Sequence, residues 1–171
     1  MPRAKEVSHA DLVHALVATE YDAVESSVEI VREKRSGKDA AVAVSFDQRN
    51  GAQRRGLIGL CRHHDGLWQP SGAFMGSVRG TGPEDVFMTS GGWGPGGRKE
   101  RAVLGGWVAD PAAVSARLVD MRNGDVLVDE VLNGVVVFMC KGDLALPNMR
   151  VELLDSAHRV LRAGPVMRRG H

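Results

Sequence analysis

Two Asn-Gly dipeptides ten residues apart, Asn123-Gly124 and Asn133-Gly134, constrain this chain more than any other feature of its sequence. Asn and Gly both tolerate the positive φ that a two-residue β-turn demands, so an Asn-Gly between alternating apolar runs is a strong local hairpin signal. Such runs surround both dipeptides, at residues 114–122, 125–132 and 135–140. Two-residue turns would then set the register. Val119 should face Val128, Met121 should face Val126, and Arg117 should face Glu130 as a cross-strand ion pair. The second turn would set Val131 against Val136 and Asp129 against Phe138. The strand between the turns has apolar residues on both faces, which suits a central position. Further strands are expected at 102–108, 150–154 and 159–162. Strands this short and closely spaced read as a small Greek-key or sandwich-like antiparallel module over 102–163, followed by a mobile tail at 164–171.

Everything upstream must pack on that scaffold or beside it. Ser8 and Asp11 have the spacing of a helix N-terminal cap. Leu12, Val13, Leu16 and Val17 then recur at helical spacing, predicting a helix over 9–22. Residues 24–34 fit either period, but β-branched side chains favour a strand. Ser36-Gly37-Lys38-Asp39 reads as a tight turn, giving a hairpin of 28–34 with 40–46. A strand over 57–63 ends at His64-Asp65-Gly66, and Trp68 opens another that Pro70 shortens or confines to a sheet edge. This N-terminal unit, residues 1–90, is a helix with an antiparallel meander, somewhat similar to half of a cone-shaped, cystatin-like fold. A short strand is expected at 84–89 and a Gly-rich linker loop at 91–101. The fold class is mainly β, α+β overall, as two units or one compact domain.

The residue pattern Gly105-Gly106-Trp107-Val108-Ala109-Asp110-Pro111, with both Asn-Gly turns, Val135-Val136-Val137-Phe138 and Leu153-Leu154-Asp155, resembles small uncharacterised actinobacterial proteins. In those, a Cys-containing strand and an Asp-Gly-x-Trp turn, here Cys61 and Asp65-Gly66-Leu67-Trp68, precede the same kind of β module. The resemblance covers roughly residues 40–161. It implies a β-rich fold and brings no activity, catalytic residue or cofactor with it.

Composition narrows the function. With 22 basic and 21 acidic residues the formal charge is +1, too small for a long-range field toward nucleic acid or an anionic membrane. Aromatics at 5% leave little for base stacking. The first residues lack the apolar core of a secretory signal, and no apolar run reaches the roughly 20 residues that span a bilayer. Two Cys, Cys61 and Cys140, do not form a disulfide framework. A cytoplasmic protein with reduced thiols is expected.

Cys61, His63, His64 and Asp65 form the densest group of potential ligands. On a strand, Cys61 and His63 would share a face and His64 would point away. They could serve as a nucleophile–base pair, Cys61 with His63, in a small hydrolase. Cys61, His63 and His64 could also begin a metal site, but zinc would need further ligands from His9, His14 or Cys140. The simpler reading is a buried thiol followed by a surface turn. Gly92-Trp93-Gly94-Pro95-Gly96-Gly97 matches a dinucleotide-binding string, yet lacks the strand-before, helix-after context. The same loop with Trp93, Arg98, Lys99 and Arg101 is a candidate binding surface, through an exposed aromatic anchor or an anion pocket. Asp47, Asp65, Asp110, Asp125 and Asp155 sit in turns, where local backbone bonding accounts for them.

These residues together predict a non-enzymatic binding or protein-interaction protein that needs no cofactor. Its contact surface would be the Gly-rich loop or an exposed sheet edge, engaging a protein partner or another copy. A small hydrolase or metal-assisted enzyme using Cys61, His63 and His64 is the alternative, and a small-molecule pocket in the N-terminal sheet is a third reading.

Overall fold

The computed structural model describes residues 7–77, 87–93, 101–141 and 146–166. They fall into two compact units, residues 7–77 in the first and residues 87–92, 101–141 and 146–166 in the second.

The first unit begins with helix α1 (His9–Glu20), whose N-cap Ser8 accepts a hydrogen bond from the Asp11 N–H at 3.1 Å. That bond satisfies one of the amides a helix start leaves unpaired. Four strands follow as a meander, β1 (Glu29–Ser36), β2 (Asp39–Asp47), β3 (Gln53–Arg62) and β4 (Trp68–Ser77), each antiparallel to the next. The hairpin expected over 28–46 is present, and Gly37 takes the positive φ of 60° that its two-residue turn requires. Even-numbered residues of the central strands, Ala40, Val42, Val44, Phe46, Ile58 and Leu60, pack against Val13 and Val17 of α1 and against Trp68. β4 lies at the sheet edge, as Pro70 dictates, but runs ten residues and is not shortened. A bulge between Gly59 and Leu60 takes up the irregularity opposite it.

Among the described residues, seven strands belong to the second unit, β5 with all but its last residue: β5 (Phe87–Trp93), β6 (Arg101–Trp107), β7 (Ser115–Asp120), β8 (Val126–Glu130), β9 (Val135–Lys141), β10 (Met149–Leu154) and β11 (Val160–Pro165). They form one sheet in the order β11-β10-β7-β8 and another in the order β5-β6-β9. Leu104, Val136 and Phe138 from one sheet meet Ala116, Leu118, Met149, Val151 and Leu153 from the other in a single apolar core. This is the mainly antiparallel β architecture that the strand spacing predicts.

Four expectations are corrected. First, the β7–β8 hairpin is two residues out of the expected register. Val119 faces Val126, and Arg117 faces Val128 instead of Glu130. The turn holds four residues because Asp120 captures it, accepting from the Arg122 backbone at 2.9 Å while the Asp120 N–H donates to the Asp125 carbonyl at 2.9 Å. Second, Asn133-Gly134 does not close a hairpin ladder. β8 pairs with β7 and β9 pairs with β6, so the chain passes between sheets there, and only a Leu132–Val135 bridge remains. Third, β8 is an edge strand, not a central one. Fourth, residues 91–93 belong to β5 rather than a loop, and β11 continues to Pro165 where a mobile tail was expected.

Candidate functional site

Cys61 is the penultimate residue of β3, opposite Asp39 of β2 and Gln69 of β4, and is buried. Burial pushes its thiol above the ordinary value; the Ser71 hydroxyl beside it opposes the rise and the nearby Asp39 carboxylate adds to it. A raised thiol is the reverse of what nucleophilic catalysis requires. β3 ends at Arg62, so strand alternation does not extend to His63. His63 and His64 occupy a turn, with the His63 N–H donating to the Leu67 carbonyl and the Gly66 N–H to the His63 carbonyl, both at 2.9 Å. Asp65 closes it by accepting from the Leu67 N–H at 2.9 Å. His64 is exposed on that turn. Among the described residues no three His, Cys, Asp or Glu side chains converge on a position where a metal ion could be held. Cys140 lies in β9 and is partly exposed.

The Gly-rich candidates are only partly visible. Trp93 ends β5 and Arg101 begins β6, their side chains lying outside the described residues, as do Arg98 and Lys99 entirely. In the N-terminal sheet, Ser27, Glu29, Ser45, Arg54 and Arg55 border an open polar hollow of about 250 Å³.

A constellation that the sequence did not single out gathers at the start of α1. The His9 ring meets the Trp68 ring edge-on, with centroids 4.4 Å apart, and its Nδ1 is bonded to the Glu33 carboxylate. The Arg35 guanidinium lies 4.8 Å from the centre of the Trp68 ring. Its signal was hidden by a β-bulge at Val31. Ile30 faces Val44, yet beyond the bulge Glu33 faces Val42 and Arg35 faces Ala40, so the phase of alternation changes within one strand. The group clamps the first turn of the helix to both edge strands of its sheet.

Among the described residues, the β8 edge exposes backbone together with aliphatic side chains. Edge strands expose unpaired amides and are ordinarily protected by charge, proline or bulges. β1 has a bulge, Arg32, Lys34 and Arg35; β4 has Pro70 and the bulge opposite it. β8 has neither proline nor bulge, and its charges, Asp129 and Glu130, are confined to its C-terminal end. Val126 and Val128 are 46% and 61% exposed, and Met121 in the adjoining turn is 61% exposed. The Val131 N–H donates to the Val114 carbonyl and the Asp120 N–H to the Asp125 carbonyl. By the alternation of an antiparallel ladder, odd residues of β8 turn their amides toward β7, and Val126 and Val128 turn theirs outward. Asp129 makes the strand rigid from behind. Its buried carboxylate accepts from the Val137 N–H of β9 at 2.7 Å, tying the edge to the opposite sheet.

No family model, curated protein or solved structure matches the chain. Among the described residues no helix is long and apolar enough to cross a membrane.

Proposed function

We propose that this chain is a non-enzymatic protein-interaction protein whose contact surface is the β8 edge of the C-terminal sheet. The observation that carries the reading is the pairing of outward amides at Val126 and Val128 with exposed aliphatic side chains at the same positions. A strand added there gains main-chain hydrogen bonds from the edge and side-chain contacts from the valines and Met121, the two components of β-augmentation. Asp129, anchored on β9, holds the edge in place before a partner arrives, and a preorganised surface binds at lower entropic cost. The Gly-rich segment 91–101, with Trp93, Arg98, Lys99 and Arg101, is a second element of the interaction in this reading. The alternative hydrolase draws no comparable support, because Cys61 is buried with a raised thiol and His63 leaves its strand.

The test is affinity capture with the wild-type chain and with Val128→Pro. Proline lacks the outward N–H but breaks no bond to β7, so the fold is retained, as thermal unfolding would verify. Captured partners, including further copies of the chain, should be lost with the variant. Equal capture by the folded variant overturns the assignment of β8.

A further inference from the structure

We propose that one occupant of the β8 edge is β11 of a second copy, so that the sheet β11-β10-β7-β8 continues head to tail from one molecule into the next. The inference rests on the reading of β8 as a contact edge and names its partner.

Three observations select β11. The first is charge. Residues 125–132 contain Asp125, Asp129 and Glu130 and no basic residue, whereas β11 contains Arg162 and no acidic residue, Arg159 just before it being paired with Asp155. The two ends of a single sheet therefore carry opposite charge. Two β8 strands facing each other would oppose like charges, which is destabilising across a strand pair.

The second is direction. β8 is antiparallel to β7, β7 to β10, and β10 to β11. Three reversals leave β8 and β11 antiparallel, so repeating the sheet without turning it over sets β11 of the next copy antiparallel to β8, with its outer face still outward.

The third is the edge itself. The Val166 N–H donates to the Met149 carbonyl, in phase with the Val151–Gly164 and Leu153–Arg162 pairs. Ala163 and Pro165 therefore turn their amide positions away from β10. Pro165 has no N–H to offer, and a bulge between Leu153 and Leu154 disturbs the strand near Leu161. The regular stretch is thus short and centred on Ala163. Pairing Val128 with Ala163 uses both outward N–H groups and both carbonyls, and it sets Arg162 opposite Asp129. Val160 and Leu161, 46% and 36% exposed, lie at the end of β11 that this pairing brings toward Glu130 and Leu132. So short a ladder makes a weak, reversible contact. It is also heterologous, generating chains or rings in place of a closed two-fold dimer.

Sedimentation velocity on wild type, Val128→Pro, Ala163→Pro and an equimolar mixture of the two variants tests it. Each proline removes an outward N–H and breaks no ladder bond within the molecule. Wild type should form concentration-dependent species larger than a dimer, and each variant alone should be monomeric. The mixture should stop at a dimer, because each variant keeps one intact edge of opposite kind. Wild-type association should also weaken as salt rises from about 0.05 to about 0.5 M, since exposed charges are screened over that range. This last measurement requires no variant to fold. Monomeric wild type at all concentrations overturns the inference, while β8-dependent capture of other proteins would leave the proposed function standing. Association abolished by Val128→Pro but untouched by Ala163→Pro overturns it in favour of β8 pairing with itself.

Discussion

The Cys61 thiol and the Asp39 carboxylate face each other across β2 and β3, and their surroundings decide what the cysteine can do. Burial first, and Asp39 after it, raise the thiol above its ordinary value of 9.0, against the Ser71 hydroxyl. Two consequences follow, with the sign set by linkage. A group whose folded pKa is raised binds its proton more tightly in the fold, so this contribution to stability is fully present below pH 9 and is lost as pH climbs through the folded value. At neutral pH the thiolate population is depressed, and alkylation of native Cys61 by iodoacetamide should be at least about tenfold slower than that of the unfolded chain, read by mass spectrometry. Cys140, partly exposed, should be modified ahead of it. Fast alkylation of Cys61 near neutral pH would contradict its placement and restore the hydrolase alternative. The buried thiol was legible from its apolar neighbours in sequence. The His9, Glu33, Arg35 and Trp68 group was not, because a bulge at Val31 reverses which residues of β1 face the helix and nothing in the local pattern marks it.

At the scale of elements, strands were legible and their neighbours were not. Alternation located β2, β3 and β6 through β10 to within a few residues, since a half-buried strand must repeat every second residue. Pairing is a different matter, for Asn133-Gly134 provides a positive φ equally well to a hairpin and to a crossing between sheets. Asn123-Gly124 closes a four-residue loop because Asp120 bonds into it, and the resulting two-residue slip keeps every side chain on its face while changing every partner. Arg117 illustrates the consequence. Its guanidinium bonds Glu152 of β10 at 3.1 Å, whereas the two-residue turn would have placed it against Glu130. A double-mutant cycle on Arg117→Ala and Glu152→Ala should give a coupling of up to about 1 kcal/mol, the pair being partly exposed. The cycle with Glu130→Ala should give a smaller one. A larger Arg117–Glu130 coupling in urea unfolding would restore the tighter turn.

For the whole molecule, a net charge of +1 hides a sheet that is acidic at one edge and basic at the other. Composition gives that sum but cannot reveal where in space the charges fall, because β8 and β11 are separated by the chain of β9 and β10. The same limit applies to domain boundaries. Glycine richness marks 91–101 as a linker, since glycine carries no side chain to pack, yet β5 runs through Trp93 and adds to β6. Cutting the chain at residue 102 would therefore strip a strand from the β5-β6-β9 sheet, expose the outer amides of β6, and shift the sheet toward aggregation. A fragment of residues 80–171 retains that strand. It should unfold cooperatively, while a fragment of 102–171 should melt lower by at least about 4–8 °C, the shift expected for each kcal/mol lost from a domain of this size. Equal melting temperatures for the two fragments would mean that β5 contributes nothing to the sandwich and that glycine content had located the boundary correctly.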